Sequence, residues 1–204
     1  MTRPQDVAAA CALGADAVGF VCFEHSPRHV PPEHLARLAR ELSPWVTPVL
    51  LFVNPVLEQV QPALDAVPHA LLQFHGTEAE ADCSRYGRAY LRAVAMSDGV
   101  DLLDWERQYA TAAGLLADAP SAGFGGSGHT FDWNRLPPPQ RRSRPLILAG
   151  GLDASNVGAA VQAARPFGVD VSSGVELERG VKSEALMREF VVAVRAADSG
   201  IDRG

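Results

Sequence analysis

Cysteine is scarce in these 204 residues: Cys11, Cys22 and Cys83 are an odd number, without Cys-x-x-Cys spacing and without clustered histidines. A disulfide framework and a zinc site of ordinary spacing are thereby excluded, and a reducing setting, the cytoplasm, is expected. No run reaches the ~18 apolar residues of a membrane span, so no membrane partner is expected. Arg3 followed by the apolar stretch 7–15 imitates a leader peptide, but the stretch is mostly alanine, a weak membrane inserter, with Asp6 before it. Basic residues are also in deficit, 18 against 24 acidic, for a net charge of −6. That balance argues against nucleic acid as a partner and leaves room for a local basic pocket around a small anion. P-loop, dinucleotide fingerprint and metal-ligand cluster are all missing. What remains is 47% hydrophobic and 21% charged, an ordinary globular chain able to bury roughly 70% of its unfolded surface.

That chain alternates. Short β-rich runs at 17–23, 48–53, 70–74, 90–94, 114–117, 146–149 and 169–171 are apolar on both faces, as strands covered on two sides must be. Between them Leu35, Leu38, Ala39 and Leu42, then Val56, Val60, Leu64 and Val67, mark helical stripes; others run through Val157, Ala160, Val161 and Ala164 and through Leu186, Phe190 and Val194. At the start, Thr2-Arg3-Pro4-Gln5 reads as a capping box for a helix that Gly14 ends. The tally is eight helices and seven strands, beginning with a helix. Similar units of about 25 residues without a midpoint reversal predict one (β/α)8 TIM barrel over residues 1–204, its first strand missing from this chain. The prolines at 137–139 with Arg141, Arg142 and Arg144 read as a stiff, solvated connection away from the chemistry.

In such a barrel the loops after strands hold the site. Arg28, in Ser26-Pro27-Arg28, suits a substrate carboxylate, though Ser-Pro also makes plain surface turns. His75-Gly76 ends a strand, as a rim-capping or catalytic pair. The glycine-rich stretch at 123–128 permits a lid, and Asp132 after it serves either as a helix cap or as a general acid. Gly150-Gly151 and Ser172-Ser173-Gly174 follow the last two strands, where this fold builds its phosphate site. A small phosphorylated molecule is the expected partner.

Several segments go further. Gly19-Phe20-Val21 with Ser26-Pro27-Arg28, Leu72-Gln73-Phe74-His75-Gly76, Gly125-Gly126-Ser127-Gly128 with Phe131-Asp132-Trp133, Leu148-Ala149-Gly150-Gly151-Leu152, and 169–176 reading Val-Asp-Val-Ser-Ser-Gly-Val-Glu resemble the phosphoribosylanthranilate isomerases, collinearly along nearly the whole chain. The resemblance implies an Amadori rearrangement in tryptophan biosynthesis, run without cofactor or metal by a cytoplasmic monomer or homodimer. It assigns Asp132 as general acid, Arg28 to the anthranilate carboxylate, Asp170 to the sugar, and Gly150, Gly151, Ser172, Ser173 and Gly174 to the phosphate. The family's first strand ordinarily carries Lys-Ile-Cys-Gly, whose cysteine is the general base; here Met1 to Asp6 aligns with the tail of that motif, so strand and base are both absent. Cys22, near the end of the adjacent strand, is the one geometric substitute, against a plain role as a small buried residue. The alternative to a working isomerase is an impaired homologue that binds phosphorylated ligand without turnover.

Overall fold

A proline has no N–H to lose in the first turn of a helix, and α1 (Pro4–Leu13) begins at Pro4 and closes at Gly14, whose φ of 89° a side chain would resist. The computed structural model, which describes residues 1–120 and 130–200, corrects the capping box. Arg3 is the N-cap, with no side-chain cap bond, and the Thr2 hydroxyl instead donates to the Gly180 carbonyl at 2.5 Å.

The seven expected strands form within two residues of their expected limits: β1 (Ala17–Val21), β2 (Thr47–Phe52), β3 (Leu71–Phe74), β4 (Tyr90–Ala95), β5 (Gly114–Asp118), β6 (Leu146–Leu148) and β7 (Gly168–Val169). They pair in parallel and in sequence order. A flat sheet would hold β1 and β7 roughly 29 Å apart. Arg28, after β1, nevertheless bonds Glu176, after β7, at 2.6 Å, so the sheet curls. Its convex face packs on α2 (Pro32–Ala39), α3 (Leu57–Ala66), α4 (Glu80–Ser84), α5 (Leu102–Gln108), α6 (Val157–Ala164) and α7 (Glu184–Ser199) through Phe20, Leu50, Phe52, Leu72, Phe74 and Leu148. Ala93, Leu116 and Ala149, with Ile147 against them, make a second, smaller cluster on the other face. Alternation of side chains along each strand produces these two cores from one sheet.

The expected eighth helix is replaced. After β5 the described residues hold only 3₁₀ turns, Trp133–Arg135 and Pro139–Arg141, because consecutive prolines at 137–139 remove the donors an α-helix needs. The arginines beyond them are less solvated than expected. Arg142 donates to the carbonyls of Pro137, Ala164 and Arg165, and Arg144 to those of Ala110 and Ala112. An antiparallel hairpin, β8 (Glu176–Glu178) and β9 (Val181–Lys182), follows β7 and was not expected. Among the described residues no helix is long and apolar enough to cross a membrane.

Candidate functional site

The strand ends converge on one cavity lined by Val21, Arg28, His75, Asp118, Gly150, Gly151, Asp170, Ser172 and Ser173 among others. Arg28, Asp170, Gly150, Gly151, Ser172 and Ser173 therefore meet, as expected for one site. Gly174 lies just behind the lining, where a Cβ would strike the Leu152 carbonyl. Gly150 (φ 84°) and Gly151 (φ 62°) sit in the left-handed region, and a Cβ on Gly150 would run into the Ala119 backbone. Only glycine lets the β6 loop pass so close to the end of β5.

Asp132 does not join them. It is exposed, caps the 3₁₀ turn by accepting from Asn134 N at 3.0 Å, and borders a separate depression with Met96, Asp98 and Arg135. The helix-cap alternative describes its place, and nothing in that placement supports the general-acid expectation. The carboxyl inside is Asp118, the last residue of β5. Its Oδ1 accepts from Ala119 N at 2.8 Å. Burial, with the Asp170 carboxylate adding to it, pushes the Asp118 carboxyl up to about 6. Burial also raises Asp170. The glycine-rich stretch at 123–128 falls outside the described residues.

His75 faces the cavity from the end of β3, its Nε2 2.6 Å from Gln73 Nε2. Burial, helped by the Arg92 guanidinium, holds it down at about 4, so the ring is neutral. Arg92 is 1% exposed, donates to the carbonyls on both sides of His75, Phe74 O (2.7 Å) and Gly76 O (2.6 Å), and lies over Trp105 and Tyr109. Its Nη1 is 3.3 Å from the Glu78 carboxylate, which in turn accepts from Asn54 N and Gly76 N. Breaking one side of a buried pair costs about 3–5 kcal/mol. Arg92→Met should destabilise the fold by that amount in urea unfolding, and Arg92→Met with Glu78→Gln should recover part of it; a loss under 1 kcal/mol, about the worth of an exposed pair, would show that the clamp carries no load.

Cys22 lies between the cavity-lining Val21 and Phe23, hence on the opposite face of the chain. Burial pushes its thiol up to about 12, which leaves no thiolate at neutral pH. Neither its place nor its thiol supports the substitute-base alternative; Cys22 is a half-buried small residue. Among the described residues no group of three or more His, Cys, Asp or Glu side chains is arranged to hold a metal ion.

The family model for "N-(5'phosphoribosyl)anthranilate (PRA) isomerase" matches residues 1–193. A relative called N-(5'-phosphoribosyl)anthranilate isomerase, from Leptothrix cholodnii, is 50% identical over 199 residues, covering 98% of this chain and 90% of the relative. The crystal structure of the phosphoribosyl anthranilate isomerase from Thermotoga maritima superposes with a TM-score of 0.85 at 36% identity, covering 96% of each chain. Another isomerase structure, in complex with reduced 1-(o-carboxyphenylamino)-1-deoxyribulose 5-phosphate, superposes with a TM-score of 0.79 at 32% identity, covering 96% of this chain and 95% of the other.

Proposed function

The chain belongs to the N-(5'-phosphoribosyl)anthranilate isomerase family, and from that premise we propose which residues carry the reaction. The protein is an isomerase that converts N-(5'-phosphoribosyl)anthranilate to 1-(2-carboxyphenylamino)-1-deoxyribulose 5-phosphate. The conversion balances within the substrate. C1 falls from the aldehyde to the amine level as C2 rises from alcohol to ketone, and only protons move through the protein.

Asp118 is the general acid in this reading. Its protonated carboxyl delivers a proton to the ribose ring oxygen as the bond from C1 to that oxygen breaks, leaving an iminium at C1. The observation that carries the reading is a carboxyl in the cavity at about 6, close to neutral pH, where a general acid works best. Asp170 borders the same space and suits the sugar hydroxyls. The loops at Gly150-Gly151 and Ser172-Ser173, with Gly174 behind them, suit the phosphate, offering backbone N–H groups and hydroxyls. Arg28 retains donors beyond its pair with Glu176 for the anthranilate carboxylate.

The strands read as seven of the eight of one (β/α)8 barrel domain over residues 1–204, and the eighth position is the seam between β1 and β7. Supporting this, neither edge strand has a further strand partner among the described residues, apart from one bridge from His29 to Val21. A strand in that seam would bring the cysteine base that the resemblance implies. A cytoplasmic monomer or homodimer suits a small-molecule reaction of this kind.

Turnover of freshly prepared phosphoribosylanthranilate, followed by loss of its fluorescence, tests the assignment; no conversion above the buffer rate, by this chain or by one lengthened to fill the seam, would defeat it. A second measurement addresses Arg28. Arg28→Ala should weaken the reduced product analogue by about 10-fold or more, the worth of a charge-assisted hydrogen bond, and leave ribose 5-phosphate nearly unchanged. Equal losses for both in titration calorimetry would move Arg28 from the carboxylate to the scaffold.

A further inference from the structure

Lys182 is the single lysine in a chain that otherwise uses arginine for every basic position. It is buried, and its ammonium reaches three acceptors: Glu176 Oε1 at 2.9 Å, Ser172 O at 2.7 Å and Ser172 Oγ at 3.4 Å. Glu176, its side chain 5% exposed, also takes the Arg28 guanidinium in a fork, Nε to Oε1 at 2.8 Å and Nη2 to Oε2 at 2.6 Å. Arg28 and Ser172 line the cavity, whereas Glu176 and Lys182 stand behind it. One continuous chain of charge-assisted contacts thus joins Arg28, Glu176, Lys182 and the Ser172 loop.

The fork occupies a particular edge of the guanidinium. With Nε and one Nη2 hydrogen spent on Glu176, three donors remain, and the Nη1 and Nη2 hydrogens that point end-on form a second bidentate edge. Glu176 therefore fixes the plane of the guanidinium without consuming the edge a ligand carboxylate needs. Lys182 keeps this affordable in charge: Glu176 and a ligand carboxylate would flank Arg28 with two negative charges, and the ammonium supplies the second positive one. Burial alone would raise Glu176, but its hydrogen bonds from Arg28 and Lys182 outweigh that and hold it at about 2, ionised at any working pH. A compact ammonium with three donors suits the corner between a carboxylate and a backbone carbonyl better than a planar guanidinium does. The hairpin itself is held from the other side, where Arg3 donates to the Lys182 carbonyl and Asp6 accepts from its N–H.

We propose that Glu176 is a positioning residue that presets Arg28 for the substrate carboxylate, and that Lys182 ties this grip to the Ser172 loop, so that the carboxylate and phosphate ends of one ligand are sensed by a single element. The proposal rests on the isomerase reading of the cavity. It makes specific demands on kinetics. Glu176→Gln replaces an acceptor oxygen with an amide that repels Arg28, and should raise KM by about 10-fold or more with kcat changed far less. In combination with Arg28→Ala it should cost far less than the sum of the two, since its effect on the carboxylate end passes through that residue. Additive losses, or a fall in kcat at unchanged KM, would overturn the proposal.

The single lysine gives a test that needs no substitution. Protein labelled with ¹³C-lysine should show one ε-carbon resonance, to be titrated with the reduced product analogue and with the same compound lacking its ring carboxylate. Different bound shifts are expected, because only the first loads Arg28 and so Glu176. Identical shifts overturn the link to the carboxylate. A failure of the underlying reading looks different: neither the unaltered protein nor one lengthened to fill the seam would then turn over phosphoribosylanthranilate, whether or not the resonance moves.

Discussion

Asp118→Asn should lower kcat by at least the ~100-fold associated with a general acid while raising the melting temperature near pH 7. The two effects share one cause. Burial and the neighbouring Asp170 carboxylate lift Asp118 from 3.8 to about 6, so the folded protein binds its proton more tightly than the unfolded chain. Stability from this group is complete below about pH 4 and is lost as pH rises toward 6. At pH 7 the ionised carboxylate is a liability, and asparagine, which keeps an oxygen to accept from Ala119 N, removes it. With allowance for partial solvent screening the gain is about 1–2 kcal/mol. The acid is active only while protonated, so kcat/KM should fall as pH rises through about 6, and that limb should disappear in the variant. Asp132→Asn, on the exposed 3₁₀ cap, should track the parent enzyme. If Asp118→Asn turns over normally and Asp132→Asn does not, the assignment reverses.

That exchange of one aspartate for another marks where sequence reasoning stops. Strands announced themselves because each is a short apolar run, and the parallel order followed from their alternation with helical stripes. Arg28, Asp170 and the two phosphate-type loops were legible because they fall at strand ends with distinctive glycine and serine pairs. Asp118 falls at a strand end too, but in the plain run Leu-Leu-Ala-Asp-Ala-Pro, and ending the strand at Ala117 left it as the first residue of a loop. Shifting that limit by one residue would have placed a carboxylate at the rim. Asp132 drew attention instead because it stands between two aromatics, Phe131 and Trp133, which suggested burial; they are half-buried while the aspartate between them points out. The hairpin after β7 escaped because its arms, Glu176–Glu178 and Val181–Lys182, are too short to show alternation. Gly180, at φ 85°, was its only local signal. Nothing in the sequence pairs Arg28 with Glu176 and Lys182, because that contact needs the sheet to curl through seven strands.

The open seam carries the largest expected effect. A chain lengthened before Met1 by a strand able to pair with both β1 and β7 should melt at a higher temperature and turn over phosphoribosylanthranilate far faster than the 204-residue chain. Two parallel edges without a full strand partner are a source of misassociation and of lost stability, and one inserted strand satisfies both. The end of the chain already lies there. The Met1 amino nitrogen is 2.5 Å from Gly19 O on β1, while Thr2 and Arg3 donate to Gly180 O and Lys182 O on the hairpin after β7. A strand arriving at Met1 would therefore enter between the two edges with no rearrangement of α1. Its inward residues would face the cavity beside Asp170 and opposite Asp118, the position from which a base can take the C2 proton after the ring has opened. A base at that position would speed the step from the iminium to the enolamine against its return to substrate. Thermal unfolding and initial rates on the two chains decide the matter. Should the 204-residue chain match the lengthened one in both, the base is already present in the cavity, and His75, an imidazole on the cavity wall against Gln73, is then the residue to replace first.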